Sequence, residues 1–153
     1  FLSALRDHRG KTRPSRFIFF QEGILKFTDS LSDITDTILG SAISVHRELG
    51  PGLLESAYEA CLTHEMEEKG LQVERQKSLP VIYKGVNIDC GYRLDLVVED
   101  KVVLELKTVE KILPIHQAQI LSYLKLSGHS LGFLINFHVD ILKNGIKRIV
   151  NQY

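Results

Sequence analysis

Three charged side chains, Asp95, Glu105 and Lys107, interrupt two otherwise apolar runs of the sequence. A charge among apolar residues destabilises a fold unless it meets an opposite charge, a metal ion or a ligand. Two carboxylates on neighbouring strands can hold one hard cation between them, and an amine two residues further along would stand beside it. These three residues are therefore the first candidates for a chemical site.

The runs that carry these charges, residues 92–98 and 101–107, alternate as strands with one buried face do. Their apolar face consists of the even-numbered residues, which are Tyr92, Leu94, Leu96, Val98, Val102, Leu104 and Leu106. A shared apolar face requires Val98 to pair with Val102, and Asp95 with Glu105. This register predicts a three-residue loop, residues 99–101, or a bulge, because a two-residue loop would put one apolar set on the wrong side.

Two helices are predicted before these strands, over residues 33–49 and 53–69, separated by a Gly-Pro-Gly break at residues 50–52. Ser32 or Asp33 is the expected cap of the first helix. The expected core-facing stripes are Ile34, Ile38, Ala42, Val45 and Leu49 in the first helix, and Leu54, Tyr58, Cys61, Leu62 and Met66 in the second.

Glu55 lies in the first turn of the second predicted helix. An acid at this position commonly serves the helix dipole or the cap. The alternative is that the Gly-Pro-Gly break aims its carboxylate at a site. Both interpretations stay open from spacing alone.

The remaining elements frame the charged strands. Residues 71–91 predict strands around a Lys84-Gly85 turn, residues 114–127 a helix ended by Gly128, and residues 131–137 a buried strand. A hairpin turn at residues 143–146 is expected to close two short terminal strands. On the predicted helix, Ala118, Leu121 and Leu124 form the core stripe, and His116, Gln119 and Tyr123 form a polar stripe that is either solvated or functional.

Composition predicts one globular domain with no net charge. Residues 1–29 carry six basic and three acidic groups and are expected to be a flexible or loosely packed extension. No apolar run approaches the roughly 18 residues of a membrane span, and residues 17–20 are too short for a signal-peptide core. Cys61 and Cys90 are expected to be buried and reduced, so a cytoplasmic protein without a membrane partner is predicted.

The order helix, helix, three strands, helix, strand, with Asp95 followed by Glu105-Leu106-Lys107, resembles the core of the PD-(D/E)XK nuclease superfamily. Residues 52–58, Gly-Leu-Leu-Glu-Ser-Ala-Tyr, resemble the signature of the GxxExxY protein family, a branch of that superfamily. The resemblance covers residues 33 to about 150, and Leu94 stands where the superfamily usually has a proline. It implies an α/β (α+β) fold with a restriction-endonuclease-like core, a central mixed β-sheet flanked by helices, in a domain of residues 30–153.

The resemblance also implies roles for individual residues. Glu55, Asp95 and Glu105, with the carbonyl of Leu106, would bind Mg²⁺ or Mn²⁺, since hard oxygens suit these ions and not Zn²⁺. Lys107 would orient or help deprotonate the attacking water. The residues expected to bind the substrate or support the site are Gln119, Tyr123, Tyr58 and His116.

Three functions remain open at this point. The leading hypothesis is a metal-dependent nuclease that hydrolyses phosphodiester bonds in DNA, with RNA as an alternative substrate and a homodimer neither required nor excluded. The second is a noncatalytic nucleic-acid-binding or regulatory module that keeps the nuclease fold. The third treats the charges as structural ion pairs on a solvated strand face.

Overall fold

A computed structural model describes residues 30–152 and two further two-residue strands, β1 (Phe17–Ile18) and β2 (Lys26–Phe27), which pair antiparallel. The expectation that residues 1–29 form a loosely packed extension falls mostly outside the described residues and stays a prediction. The expected domain boundary at residue 30 also stays a prediction.

Two helices precede the sheet, α1 (Leu31–Leu49) and α2 (Glu55–Glu68). Ser30 caps α1, since its Oγ accepts the Asp33 N–H at 3.1 Å, so the predicted cap at Ser32 or Asp33 was wrong. The predicted core stripe of α1 is buried at four positions, Ile34, Ile38, Ala42 and Val45, and Leu49 is partly buried against the same cluster.

The buried face of α2 is rotated from the predicted one. Tyr58 is buried as expected, but Leu54 precedes the helix and is 78% exposed, and Cys61 is exposed as well. The reason is that two polar residues, Glu59 and Thr63, pack inward beside the apolar stripe and turn the opposite side to solvent. Neither the helical position of Leu54 nor the burial of Cys61 was predicted correctly, and Cys90 is also exposed.

Five strands form the central mixed sheet in the order β3-β6-β7-β8-β9. Their ranges are β3 (Val73–Ser78), β6 (Arg93–Val98), β7 (Val102–Lys107), β8 (Leu131–Asn136) and β9 (Ile146–Val150). Only the pairing of β7 with β8 is parallel, and α3 (Pro114–Ser127) connects these two strands. Between β3 and β6 the chain forms a separate two-stranded hairpin, β4 (Val81–Tyr83) and β5 (Val86–Ile88).

Helices cover both faces of the sheet, which confirms the predicted α+β architecture. The α1 and α2 side packs on even-numbered sheet residues such as Leu96 and Leu104, and the α3 side packs on Val97 and Val103. Val98 pairs with Val102 across residues 99–101, as the alternation predicted. Leu94 departs from the alternation, because it packs on the α3 side, so the regular strand pattern breaks at Asp95.

The boundaries of α3 agree with the prediction, and Gly128 follows it in the left-handed conformation at φ 76°. Its buried face does not agree, since Ala118 is exposed and Leu121 only partly buried, whereas Ile120 and Leu124 are fully buried. These two side chains meet Gly132 of β8, where an added Cβ would lie 3.0 and 3.3 Å from them. The lack of a side chain at that position therefore sets the helix rotation.

The predicted hairpin turn at residues 143–146 is instead a 3₁₀ helix, Leu142–Gly145, that leads into β9. Gly145 is needed there because a Cβ would collide with the carbonyl oxygen of Asn136. Gly145 thus allows the 3₁₀ helix to pack closely against the end of β8, and it does not form a tight turn between two short strands. None of the described helices is long and apolar enough to cross a membrane.

Candidate active site

Asp95 and Glu105 face each other where strands β6 and β7 stop forming regular pairs. The last regular pair is Leu96 with Leu104. Beyond it, the Asp95 N–H donates to Glu105 Oε1 at 3.3 Å, and the Leu106 N–H donates to Asp95 Oδ2 at 2.9 Å. Each carboxylate therefore takes the place of a backbone acceptor on the neighbouring strand, which fixes both side chains.

Burial makes this pair of acids electrostatically unusual. Glu105 is 4% exposed, and burial, with the nearby Asp95 charge, raises its pKa from 4.5 to about 8. The pKa of Asp95 is also raised by burial, although the hydrogen bond from Leu106 opposes the shift. Two acids this close repel each other when both are ionised, and the charge of Asp95 therefore favours the protonated form of Glu105.

Lys107 lies on the same strand as Glu105 and connects the acids to α3. Its Nζ is 3.5 Å from Gln119 Oε1, a long contact, and Gln119 Nε2 donates to the Tyr123 hydroxyl at 2.8 Å. Tyr123 is 8% exposed, and burial raises the pKa of its hydroxyl. The structure thus brings two members of the predicted polar stripe, Gln119 and Tyr123, to the predicted amine.

Glu55 reaches the site from the first turn of α2. The residue as a whole is exposed to solvent. Its carboxylate is partly buried, and this burial raises its pKa. The negative charge of Asp95 raises this pKa further, and the positive charge of Lys107 lowers it. These interactions place Glu55 within electrostatic range of the strand residues.

Tyr58 fixes the Gly-Pro-Gly connection between α1 and α2, and this connection sets the position of Glu55. Its hydroxyl donates to the Gly50 carbonyl and accepts the Leu53 N–H, and its ring stacks on Phe137 with centroids 4.4 Å apart. Because Tyr58 is fully buried, it is placed to support the site and not to touch a substrate.

His116 is occupied at the start of α3, where its Nδ1 accepts the Leu113 N–H at 3.0 Å. This bond serves the helix terminus, which otherwise leaves N–H groups without acceptors. Leu106, expected to offer its carbonyl to a metal ion, lies on β7 between Glu105 and Lys107 and is 1% exposed.

Glu59 is a site residue that sequence reasoning missed. It lies one helical turn after Glu55, is 8% exposed, and accepts Arg75 Nε at 3.2 Å and Gln76 Nε2 at 2.9 Å. Its charge contributes to raising the pKa of both Glu55 and Asp95. The i, i+4 spacing from Glu55 was the available signal, but its partners come from β3 and have no sequence signature.

Gln76 adds a backbone irregularity beside the acids. The flanking pairs Arg75 with Leu96 and Lys77 with Leu94 place it opposite Asp95, yet that pair is missing from the ladder. Its φ of 51° lies in the left-handed region, which is uncommon for a residue with a side chain. Asp95 is therefore flanked by irregular pairing on both sides.

The donor chemistry of this site fits a hard divalent cation. Asp95, Glu105 and Glu55 offer carboxylate oxygens, the ligands that Mg²⁺ and Mn²⁺ prefer. Within residues 30–152, however, no three acidic, His or Cys side chains lie close enough to form a ready metal site. Glu55, exposed on the first turn of its helix, is the ligand that would have to reorient.

Comparison with known proteins supports this description. A family model of the PD-(D/E)XK nuclease superfamily matches residues 32–149, which include every residue of the candidate site. A search among curated proteins found no match, and neither did a search among solved structures. On the fold, the facing acids and this match, the chain belongs to the PD-(D/E)XK nuclease superfamily.

Proposed function

We propose that the protein is a metal-dependent nuclease that hydrolyses phosphodiester bonds in DNA, with Mg²⁺ or Mn²⁺ as its cofactor. One observation carries the proposal: the Asp95 N–H donates to the Glu105 carboxylate and the Leu106 N–H donates to the Asp95 carboxylate, with Lys107 next along β7. Residues 52–58 support a place in the GxxExxY branch of the superfamily.

The metal ligands in this proposal are Glu55, Asp95, Glu105 and the carbonyl oxygen of Leu106. When bound, the cation supplies positive charge that polarises the phosphoryl group and acidifies a water molecule. Asp95 and Glu105 are held in place by backbone N–H groups, so they need little reorganisation to receive it.

Lys107 has a separate task in this proposal. Its ammonium group orients the attacking water and stabilises the negative charge that develops on the phosphate. Gln119 steadies the ammonium group through its Oε1, and Tyr123 fixes the orientation of Gln119 through its hydroxyl. The rigid helix α3 therefore sets where the Lys107 charge lies.

The test is cleavage of labelled single-stranded, duplex and branched DNA, and of an RNA panel, with and without Mg²⁺ or Mn²⁺. We expect metal-dependent cleavage of DNA that is reduced at least ~100-fold in Asp95→Asn and Lys107→Ala, the scale of losing a positioned electrostatic group. Asp140→Asn, an exposed acid outside the site, is the matched control and should cleave normally. Cleavage that survives both site substitutions would come from a contaminant and would reject the proposal.

A noncatalytic nucleic-acid-binding module is the second candidate. One observation favours it: the described residues form no ready three-ligand metal site. Calorimetry separates the two candidates, because a nuclease should bind Mn²⁺ and lose that binding in Asp95→Asn. Tight nucleic-acid binding without any metal uptake would favour the module.

A further inference from the structure

The β4–β5 hairpin projects from the sheet beside the candidate site. It follows β3 and precedes β6, and its strands pair with each other and with no other described strand. At its base, the Leu79 N–H donates to the Tyr92 carbonyl at 2.9 Å. Only two residues separate Tyr92 from Asp95, so the hairpin emerges next to the acids.

The hairpin has a fixed shape. Lys84 and Gly85, its two turn residues, have φ values of 49° and 78°, the pattern of a type I′ turn that matches the twist of the two strands. Asp89 Oδ1 accepts the Gly91 N–H at 2.9 Å, which orders the return to β6.

Exposed apolar and aromatic side chains dominate this hairpin. The pairs Val81 with Ile88 and Tyr83 with Val86 share one face, and Ile82 lies on the other. The exposed fractions are 57% for Ile82, 58% for Tyr83, 60% for Val86 and 40% for Ile88. Tyr83, Val86 and Ile88 together form an exposed apolar surface on one face, and such a surface marks an interaction site.

Cations accompany the aromatic rings. Lys84 Nζ lies 5.3 Å from the centre of the Tyr83 ring at the tip, and exposed Arg93 follows Tyr92 at the base. The only acid between residues 79 and 93 is Asp89, whose carboxylate already accepts a backbone N–H. Two cations against one acid give this segment a net positive charge, which suits the phosphate backbone of a nucleic acid.

The base of the hairpin also contacts the catalytic candidates. The Tyr92 ring lies 5.9 Å from the Tyr123 ring, and Tyr123 bonds to Gln119, which contacts Lys107. A strand of nucleic acid bound along the hairpin would thus be next to the site.

The types of side chain on the hairpin indicate which form of nucleic acid it can bind. Reading base edges inside a duplex groove requires several hydrogen-bonding side chains, and this hairpin presents few besides Asn87 and Lys84. Tyrosine rings and apolar side chains instead stack on base faces, which are accessible where bases are unpaired. We propose, on the basis of the proposed nuclease function, that the β4–β5 hairpin binds the unpaired bases of single-stranded or branched nucleic acid beside the cleavage site.

The experiment compares the binding of a fluorescein-labelled DNA strand with that of the same strand annealed to its complement, by fluorescence anisotropy in EDTA. We expect the single strand to bind at least ~10-fold more tightly. Tyr83→Ala should weaken single-strand binding by about 5- to 100-fold, the range for one lost stacking partner. Tyr83→Phe, which keeps the ring, should bind as the unaltered protein does.

Ile141→Ala is the matched control, since Ile141 is 63% exposed elsewhere and its truncation should leave binding unchanged. Melting temperatures within ~2 °C of the unaltered protein exclude unfolding as the cause of any loss. Equal affinity for both DNA forms, or unchanged binding by Tyr83→Ala, would overturn the inference. So would a dimer in sedimentation that Tyr83→Ala dissociates, because the hairpin would then bind a second copy.

The cleavage assay separates this inference from the proposed function. Metal-dependent cleavage together with normal binding by Tyr83→Ala would reject the hairpin's role and leave the nuclease standing. Absence of both binding and cleavage would reject both.

Discussion

The two ends of the β6–β7 hairpin differ sharply although the same two strands form them. The three pairs from Leu96 with Leu104 to Val98 with Val102 are regular, and their side chains are buried on both faces. One residue further along each strand, Asp95 and Glu105 replace backbone acceptors and carry charge into a covered site. The difference shows how regular, apolar pairs can hold two acids in place at the irregular end of the same strands.

The largest effect on stability is expected at the apolar end. Leu104→Ala should lower the free energy of unfolding by about 2–5 kcal/mol, because Leu104 is fully buried between the sheet and the α1–α2 layer. Leu113→Ala, at a residue 47% exposed, is the matched control and should change stability little. Urea denaturation measures both, and a loss below ~1 kcal/mol at Leu104 would contradict the description of this end as tightly packed.

The charged end should respond to pH. Glu105 holds its proton more strongly in the folded than in the unfolded chain, so its contribution to stability is complete below pH ~4.5 and is lost as pH rises to about 8. Without metal, stability should therefore fall across this window by at most ~1.4 kcal/mol per pH unit. Glu105→Gln should flatten this slope; an equally steep slope in the variant would assign it to other groups.

A divalent cation should oppose this loss of stability at higher pH. Because binding must displace the proton on Glu105, the stabilisation by Mg²⁺ should increase with pH up to about 8. Melting scans at millimolar Mg²⁺ across pH 6–9 check this. No shift at any pH would contradict an intact metal site, and Asp95→Asn serves as the variant that should not respond.

A smaller effect is expected where Tyr58 supports Glu55. Tyr58→Phe leaves the Gly50 carbonyl and the Leu53 N–H without their partner, which should lower stability by about 1–3 kcal/mol. Metal affinity should fall too, because the loop that positions Glu55 loosens. Calorimetric titration with Mn²⁺ tests the second part, and unchanged affinity would show that Glu55 is positioned without Tyr58.

The smallest effect is expected at the start of the first helix. Ser30→Ala removes the side chain that accepts the Asp33 N–H and should lower stability by about 1 kcal/mol. Ser32→Ala, at the position that the sequence suggested, should have almost no effect. Equal losses in the two variants, measured by urea denaturation, would contradict the assignment of Ser30 as the cap.

The features that the sequence predicted correctly are those set by local periodicity. The alternation of residues 96–104 determines the strand register, and Pro114 and Gly128 determine the ends of α3. The facing of Asp95 and Glu105 follows from the same register and was predicted with it.

The features that it did not predict depend on contacts between distant segments. Cys61 was placed in the core because the inward packing of Glu59 depends on Arg75 and Gln76 of another strand. Ala118 was placed in the core because the rotation of α3 depends on Gly132. The left-handed backbone of Gln76 has no signal in residue type or spacing at all.

The central claim is that Asp95 and Glu105, which face each other on strands β6 and β7, form the core of a divalent-metal site. The most direct test is the anomalous scattering of Mn²⁺ in crystals of the protein grown above pH 8. We predict a single strong peak between these two carboxylates, with Glu55 turned toward it, and no peak in crystals of Asp95→Asn. Crystals of the unaltered protein without a peak at this position, under conditions where Mn²⁺ is in millimolar excess, would contradict the account.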